Sequence, residues 1–120
     1  MTRRVLIIDD NSDFRASARQ LLERSGFVVV AEAGDGARGI DEAKAHAPDL
    51  VLLDVQLPDV DGFEVAERLL RLDVPLEVIL TSNLADSDFG ALVAGSPALG
   101  FISKADLSAP AIEDLLARAR

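Results

Sequence analysis

The sequence has no cysteine, tryptophan or tyrosine, and its 21 acidic residues outnumber the 12 basic ones. Without cysteine the chain forms neither disulfide bonds nor thiolate metal sites, which agrees with a reducing interior. Five phenylalanines supply all the aromatic rings, so the stacking platforms that bind single-stranded nucleic acid are not expected. The net charge of −9 argues against direct binding of nucleic acid by this domain.

A long hydrophobic run is also missing from the N-terminus. The opening, MTRRVLIIDD, has an apolar run of only four residues before the acids, which is too short for the core of a signal peptide or for a membrane span. We therefore expect a cytoplasmic protein without a membrane partner. The length of 120 residues, 49% of them hydrophobic, predicts one packed domain over residues 1–120.

Short apolar runs recur along the chain and alternate with segments of helical periodicity. The predicted strands are Val5–Ile8, Phe27–Val30, Leu50–Leu53, Val78–Leu80 and Phe101–Ile102. Because these runs do not alternate apolar with polar residues, the strands are expected to be covered on both faces, as in the parallel sheets of α/β proteins. The sequence therefore predicts an α/β fold with five strands and five helices.

Four of the five predicted helices have clear boundaries. Gly26 is expected to end the first, and Pro48 and Pro75 to follow the second and third. Ser108 is expected to cap the fifth, whose apolar face includes Ala119. The fourth helix lies within ADSDFGALVAGSPALG and is expected to be short, because the segment is rich in glycine and contains a proline.

Chemically active side chains lie just past four of the five predicted strands: Asp9 and Asp10, Asp54, Thr81 and Ser82, and Lys104. Ligands of parallel α/β sheets bind outside the carboxyl ends of the strands. Carboxylates from neighbouring strand ends would raise each other's pKa unless a cation lay between them, and Mg²⁺ suits such a site. A hydroxyl and a lysine can bind phosphoryl oxygens, and an aspartate can itself form an aspartyl-phosphate.

Each of these residues also has an ordinary structural interpretation when it is taken alone. Aspartate is favoured in turns and helix caps, a threonine often ends a strand, and a lysine is usually a solvated surface residue. Their joint occurrence at four strand ends favours a functional site. By contrast, Asp59 and Asp61 are interpreted as turn residues before the third helix, and His46 is expected to be exposed and without a role.

Four motifs, VLIIDDN, VLLDVQLPDVDGFE, VILTS and GFISK, together resemble the receiver domain of two-component response regulators, the CheY-like superfamily. The resemblance extends over essentially the whole chain. It implies a single-domain flavodoxin-like (βα)5 doubly wound fold, with a five-stranded parallel sheet in the order 2-1-3-4-5. The ending GFISKADLS resembles LuxR/NarL-type receivers, which implies transcription regulation. The chain is then either a stand-alone receiver or part of a longer regulator with a C-terminal DNA-binding domain outside this chain.

The resemblance implies a phosphoacceptor and a metal site. Asp54 would accept a phosphoryl group from a sensor histidine kinase or a phosphotransfer protein, in a Mg²⁺-dependent reaction. Asp10 would bind Mg²⁺ directly and Asp9 partly through water, with Asp54 and the backbone carbonyl of Gln56 completing the protein ligands. Gln56 and Asn83 would tune hydrolysis of the phosphoryl group. Such a receiver supports its own phosphoryl transfer and autodephosphorylation, and is not a turnover enzyme on an external substrate.

The resemblance also implies a phosphoryl-binding set and a switch. Thr81, the backbone N–H of Ser82 and Lys104 would bind the phosphoryl group, and Thr81 and Lys104 would take part in its transfer. Thr81 and Phe101 would form the switch, because the added charge draws the hydroxyl and the lysine toward it. The conformational change would reach the face built from the fourth helix, fifth strand and fifth helix, where family members dimerise or dock outputs.

The sequence departs from the family pattern at three places. The residue after Lys104 is Ala105, where the family usually has a proline in a cis peptide that aims the lysine. A cis bond before alanine would cost about 3 kcal/mol, and the sequence leaves both the cis and the trans form open. The fourth-helix segment is unusually rich in glycine, and Phe101 lacks a hydroxyl group.

Two other functions stay open on the sequence. One is a receiver-like interaction module that is never phosphorylated and acts by binding alone. The other is a Mg²⁺-dependent phosphatase that works through an aspartyl-phosphate, although such enzymes commonly carry an aspartate where this chain has Gln56. A flavin-binding carrier is disfavoured, because no phosphate-binding loop rich in hydroxyls and glycine follows the first strand.

Overall fold

The computed structural model describes residues 3–83 and 90–118, and within them five strands alternate with five α-helices. The strands are Arg4–Ile8 (β1), Val28–Ala33 (β2), Leu50–Asp54 (β3), Glu77–Ser82 (β4) and Gly100–Ser103 (β5). The helices are Ser12–Arg24 (α1), Gly36–His46 (α2), Gly62–Leu70 (α3), Gly90–Ala94 (α4) and Ala109–Arg118 (α5). All paired strands are parallel, in the order β2-β1-β3-β4-β5, which confirms the doubly wound fold.

Successive side chains of a strand point to opposite faces of the sheet, and helices bury both faces. Leu6 and Ile8 of β1 belong to the core that α2 and α3 cover, whereas Val5 and Ile7 belong to the core under α1 and α5. All five residues of the central strand β3 are buried. The continuous apolar runs of the sequence therefore reflect helices on both sides of the sheet.

Strand β2 differs from the prediction, which placed it at Phe27–Val30. It runs from Val28 to Ala33 and pairs with β1 only, at the edge of the sheet. An edge strand tolerates a charged residue, and Glu32 forms ion pairs with Arg15 and Arg19 of α1. The hydrophobic pattern alone ended the strand too early, because it treated Glu32 as a loop residue. Strands β4 and β5 also extend beyond their predicted apolar runs at both ends.

The predicted helix boundaries are confirmed. Gly26 follows the end of α1 with a φ of 92°, a conformation that glycine adopts easily because it lacks a Cβ. Helix α2 ends before Pro48 and α3 before Pro75, and the Ser108 hydroxyl accepts a hydrogen bond from a backbone N–H in the first turn of α5. His46, the last residue of α2, is exposed as expected.

Helix α4 is short in the described part of the chain, five residues from Gly90 to Ala94. This length agrees with the glycine and proline content of its segment. Residues 85–89 of the predicted fourth-helix segment, and Ala119 of the predicted fifth helix, lie outside the described residues. Among the helices of the described residues, none is long and apolar enough to cross a membrane.

Candidate functional site

The carboxyl ends of four strands bring the predicted site residues to one edge of the sheet. Asp9 directly follows β1, Asp54 ends β3, and Lys104 directly follows β5. Asp54 lies opposite Thr81 in the β3–β4 ladder, and Ser82 is the last residue of β4. Because neighbouring parallel strands finish on the same side, residues that are distant in the sequence become neighbours here.

Three carboxylates converge at this edge. One carboxylate oxygen from each of Asp9, Asp10 and Asp54 lies within 4.8 Å of the others. Asp9 is 1% exposed and Asp54 is 5% exposed, while Asp10 is exposed to solvent. Since β1 and β3 are neighbours, the closeness that the sequence predicted is confirmed. Three negative charges in this small space favour a bound cation.

The ammonium of Lys104 lies between the two buried acids. Its Nζ is 2.6 Å from Asp9 Oδ2 and 3.2 Å from Asp54 Oδ2. The Lys104–Ala105 peptide is trans, and a 3₁₀ turn, Lys104–Asp106, follows β5. Lys104 therefore reaches Asp54 without the proline arrangement of the family pattern.

One oxygen of Asp9 lacks a well-directed hydrogen bond. Asp9 Oδ1 accepts a hydrogen bond from the backbone N–H of Asn11 at 2.9 Å. Asp9 Oδ2 is buried, and no donor among the described residues is well directed toward it, although Lys104 Nζ approaches to 2.6 Å. That contact is an ion pair by distance rather than an aligned hydrogen bond. A buried carboxylate oxygen with unused acceptor capacity suits a metal ligand.

Burial and charge shift the pKa values of the two groups at the centre of the site. Burial raises the pKa of Asp54 above its ordinary value of 3.8; the N–H of Gln56 opposes this shift, the charge of Asp9 adds to it, and Lys104 opposes it. Burial alone would lower the pKa of Lys104, but its contacts with Asp9 and Asp54 outweigh burial and raise the pKa above 10.5. Lys104 is therefore charged at neutral pH.

The β1–α1 loop is held by residues that the sequence analysis did not single out. Asn11, and not an aspartate, caps α1, because its side-chain oxygen accepts hydrogen bonds from two backbone N–H groups. Arg15 donates to the backbone carbonyl of Asp9 at 2.5 Å and to Glu32 of β2 at 3.1 Å. An asparagine directly before a helical pattern is a recognisable cap signal. The contacts of Arg15 have no local signal, because Glu32 belongs to another strand.

Phe14 is a further residue of the site that the sequence analysis missed. The centroid of its ring lies 4.6 Å from Lys104 Nζ, within the range of a cation–π contact. Phe14 is half-buried and also packs against the core under α1 and α5. The sequence carries no signal for the contact with Lys104, because only the tertiary fold brings the start of α1 next to the end of β5.

The β3–α3 loop fixes the other side of the Asp54 carboxylate. The backbone N–H of Gln56 donates to Asp54 Oδ1 at 3.0 Å. A Cβ on Gly62, the first residue of α3, would lie 2.3 Å from the backbone oxygen of Asp54 and 2.5 Å from the Cα of Val55. Only glycine therefore allows α3 to begin this close to the end of β3.

The two acids of this loop have different structural roles. Asp61 caps α3 and accepts a hydrogen bond from a backbone N–H of its first turn at 2.7 Å, as expected for a turn residue before the third helix. Asp59 instead accepts from the N–H groups of Gly36 and Ala37, at 2.8 and 3.0 Å, at the start of α2. These hydrogen bonds, that of Gly36 first, hold the pKa of Asp59 below its usual value.

The remaining predicted residues lie around Asp54. Thr81 and Ser82 are buried, with 1% and 0% exposure. Phe101 is half-buried in β5 and packs against the core on the side of α2 and α3. Gln56, two residues after the end of β3, and Asn83, directly after β4, are exposed. The fold thus assembles the buried polar residues and leaves the two positions predicted to tune hydrolysis open to solvent.

The sequence matches the model of a known family, the response regulator receiver domain, over residues 5–116. BvgA of Bordetella pertussis, which is named as a transcription regulator of virulence factors, is 39% identical over 104 residues, covering 87% of this chain and 50% of that protein. The chemotaxis protein CheY of Bacillus subtilis is 36% identical over 84 residues, 70% of each chain. The chain spans about half the length of the transcription-regulator relatives that it matches.

Solved structures share the fold. The signal receiver domain of the response regulator NarL from Mycobacterium tuberculosis aligns with a TM-score of 0.85 and 34% identity, covering 98% of this chain and 96% of that one. A LuxR-family two-component response regulator from Aurantimonas sp. SI85-9A1 aligns with a TM-score of 0.84 and 30% identity, covering 98% and 87%. Sequence and structure therefore agree over nearly the whole chain.

Proposed function

The chain belongs to the response regulator receiver family, and we propose that it is a phosphorylation-controlled signalling domain whose phosphoacceptor is Asp54. The donor would be a sensor histidine kinase or a phosphotransfer protein. The observation that carries the proposal is the setting of the buried Asp54 carboxylate, with Lys104 at 3.2 Å and Asp9 and Asp10 close by. Such a set can stabilise the charge of phosphoryl transfer.

Asp54 is suited to act as the nucleophile because both of its oxygens are held. Gln56 N–H donates to Oδ1 and Lys104 contacts Oδ2. In the transfer, one Asp54 oxygen forms a bond to phosphorus while the bond between phosphorus and the donor's histidine nitrogen breaks. The products are an acyl phosphate on Asp54 and a free histidine. Lys104 can then exchange Asp54 Oδ2 for a phosphoryl oxygen and keep its contact with Asp9.

The acidic cluster fits Mg²⁺. Asp9 has a buried oxygen without a well-directed hydrogen bond. Among the described residues, three carboxylates against one ammonium leave a formal excess of two negative charges. The ion would be held by Asp10 and Asp54, by Asp9 partly through water, and by the backbone carbonyl of Gln56. When bound, Mg²⁺ would offset the charge of these carboxylates and of the phosphoryl oxygens.

The phosphoryl group would be bound by Thr81, the N–H of Ser82 and Lys104. The ladder position of Thr81 opposite Asp54 and the contact of Lys104 with Asp54 support this assignment. The new charge would draw Thr81 toward Asp54, and the change would pass through Phe101 to the face formed by α4, β5 and α5. Hydrolysis would be tuned by the exposed side chains of Gln56 and Asn83.

The output would be transcription regulation. The relatives named as transcription regulators are about twice as long as the matched region, which supports a C-terminal DNA-binding domain outside this chain. The face formed by α4, β5 and α5 would control that domain and would be the surface of a homodimer. A cytoplasmic location is part of the same proposal, because the donor kinase must reach Asp54.

Phosphorylation of Asp54 is tested by incubating the chain with Mg²⁺ and acetyl phosphate and measuring its intact mass. We expect an added mass of about 80 Da, that of one phosphoryl group, and a Mg²⁺-dependent rate. Asp54→Asn should abolish the adduct. Asp59→Asn is the matched control, because Asp59 is an acid of the neighbouring loop that contacts the start of α2, and it should keep the adduct.

The alternatives give different results in the same experiment. If neither a small phosphodonor nor a phosphorylated histidine protein modifies the chain, it is an interaction module that acts by binding alone. Steady turnover of a small phosphate ester would identify a phosphatase. An adduct that persists in Asp54→Asn would show that the phosphoacceptor is a different residue.

A further inference from the structure

Lys104 needs a defined direction if it is to bind a phosphoryl oxygen, and its backbone does little to impose one. The peptide after Lys104 is trans, and a 3₁₀ turn of three residues begins there. The turn is closed by an exposed hydrogen bond from Ser103 Oγ to Asp106 Oδ2, at 2.9 Å. Neither the trans peptide nor the turn fixes the side chain of Lys104, whose four-carbon chain has several rotatable bonds. The direction of the ammonium therefore depends on the side chains around it.

Among the described residues, three side chains are seen in contact with this ammonium. Asp9 and Asp54 are its partners at 2.6 and 3.2 Å, and the ring of Phe14 lies with its centroid 4.6 Å from Nζ. The backbone of Phe14 is held because the capping side chain of Asn11 accepts a hydrogen bond from its N–H at 3.0 Å, and its ring packs against the core under α1 and α5. Phe14 thus gives Lys104 a wall that is apolar and attracts a cation.

We propose that Phe14 is a positioning residue for Lys104, and that its ring keeps the ammonium between Asp9 and Asp54. The inference rests on the proposed function, since the direction of Lys104 matters when it binds a phosphoryl group. When a phosphoryl oxygen replaces the carboxylate of Asp54 as a partner, the ring keeps the ammonium from turning into solvent. Phe14 acts through Lys104 and does not itself touch the reacting atoms.

Phe14 also packs against the core under α1 and α5, so a test must separate positioning from packing. Phe14→Leu keeps an apolar side chain and removes the ring, whereas Phe14→Tyr keeps the ring face. Phe27→Leu is the matched control, because Phe27 belongs to the same core but lies away from the site. It directly precedes β2, at the amino ends of the strands, whereas the site lies at their carboxyl ends. A purely structural effect would be common to Phe14→Leu and Phe27→Leu.

The first test detects the ring through the lysine signals. The sequence has two lysines, Lys44 and Lys104, so protein labelled with ¹³C-lysine gives two ε-methylene signals, which Lys44→Arg assigns. Protons above an aromatic ring are shielded, and we expect the Lys104 protons upfield of those of the exposed Lys44. The displacement should persist in Phe14→Tyr and Phe27→Leu and disappear in Phe14→Leu.

The second test measures the rate at which acetyl phosphate phosphorylates Asp54 at saturating Mg²⁺. Phe14→Leu should slow the reaction about two- to fivefold, the fold-change that corresponds to a partly exposed cation–π contact. Phe14→Tyr should restore the rate, and Phe27→Leu should leave it near that of the unchanged chain. Affinity for Mg²⁺ should not fall in any of the three variants, because a phenylalanine ring offers no oxygen ligand.

Three results would overturn the role of Phe14. They are equal slowing in Phe14→Leu and Phe27→Leu, a Lys104 signal that is not displaced in the unchanged chain, and a displaced signal that is lost in Phe14→Leu without any change in rate. Failure of the proposed function looks different. In that case the unchanged chain is never phosphorylated, and the lysine signals still decide whether the ring holds Lys104.

Discussion

At the scale of single residues, Lys104 and a divalent cation would compete for the same oxygen. Lys104 Nζ lies 2.6 Å from Asp9 Oδ2, the buried oxygen that lacks a well-directed hydrogen bond. A fixed ammonium repels a cation that enters the acidic cluster, and it also offsets the repulsion between Asp9 and Asp54 when no cation is bound. Lys104 would therefore stabilise the metal-free chain and lower the affinity of the acidic cluster for a divalent cation.

Lys104→Ala should show both effects. Without divalent cations, the free energy of unfolding should fall by about 2 kcal/mol, the usual cost of removing the partner of a charged hydrogen bond. Affinity for Mg²⁺ should rise, because no ammonium competes for Asp9 Oδ2. Urea unfolding in EDTA measures the first effect, and calorimetric titration with MgCl₂ measures the second. A collapse of Mg²⁺ binding in Lys104→Ala would contradict this assignment.

Lys44→Ala is the control, because Lys44 is an exposed lysine of α2. Neither the free energy of unfolding nor the affinity for Mg²⁺ should change in this variant.

The stabilisation by Lys104 should depend on pH in a defined direction. The pKa of Lys104 is raised above 10.5 in the folded chain, so its contribution is fully present below pH 10.5 and is lost as the pH rises through the raised pKa. The difference in stability between the unchanged chain and Lys104→Ala should therefore be constant near neutral pH and shrink only in strong alkali.

At the scale of secondary structure, the β3–α3 connection determines where Asp54 lies. Helix α3 begins so close to the end of β3 that the first helical residue, Gly62, donates its N–H to the carbonyl of Val55 at 3.0 Å. There is no space for a Cβ at Gly62 between the backbones of Asp54 and Val55. The same loop supplies the Gln56 N–H that holds the Asp54 carboxylate. A change in this close approach would therefore move Asp54, the proposed phosphoacceptor.

Gly62→Ala should destabilise the chain by about 2 kcal/mol, within the usual range for overpacking of a tight interior, and should slow phosphorylation of Asp54. The added Cβ meets backbone atoms at 2.3 and 2.5 Å, which cannot move aside as a flexible side chain can. Thermal unfolding and the acetyl phosphate assay measure the two effects.

Gly90→Ala is the matched control for that substitution. Gly90, the first described residue of α4, has nothing within 4 Å of an added Cβ, and alanine has the higher helix propensity. We expect unchanged or slightly raised stability and a normal rate of phosphorylation. A Gly62→Ala chain as stable and as active as Gly90→Ala would show that the β3–α3 connection is not tightly fixed.

At the scale of the whole molecule, the acidic charge balance is consistent with the proposed separation of sensing in this chain from output elsewhere. A net charge of −9 repels a nucleic acid backbone, whereas the relatives named as transcription regulators extend well beyond the region that this chain matches. Any contact with DNA would then be made by residues outside this chain. The acidic charge would instead serve the cation site at the edge of the sheet.

The isolated chain should not bind duplex DNA, even at low salt. Proteins that neutralise phosphates bind nonspecifically with Kd values of about 10⁻⁴ to 10⁻⁶ M, so fluorescence anisotropy of labelled DNA with up to roughly 100 μM chain covers the relevant range. We expect no change in anisotropy, with or without phosphorylation. Saturable binding that weakens as salt is added would contradict the separation of sensing from output.

The sequence by itself determined the class of the fold and the composition of the central site. The continuous apolar runs from Val5 and from Leu50 predicted buried parallel strands, because strands covered on both faces need apolar side chains at every position. The residues after those runs predicted a cluster of acids with a lysine, since parallel strands end at one edge. These are local patterns, and local patterns are readable along the chain.

The tertiary structure alone decided how those side chains are held. Glu32 of β2 pairs with Arg15 of α1. Asp59 accepts hydrogen bonds from the start of α2, and Phe14 contacts Lys104. Each of these contacts joins elements that are distant in the sequence. The trans peptide before Ala105 was open on the sequence, because either form is compatible with the same residues. Contacts of this kind follow from packing of helices on the sheet, and no periodicity or spacing along the chain encodes them.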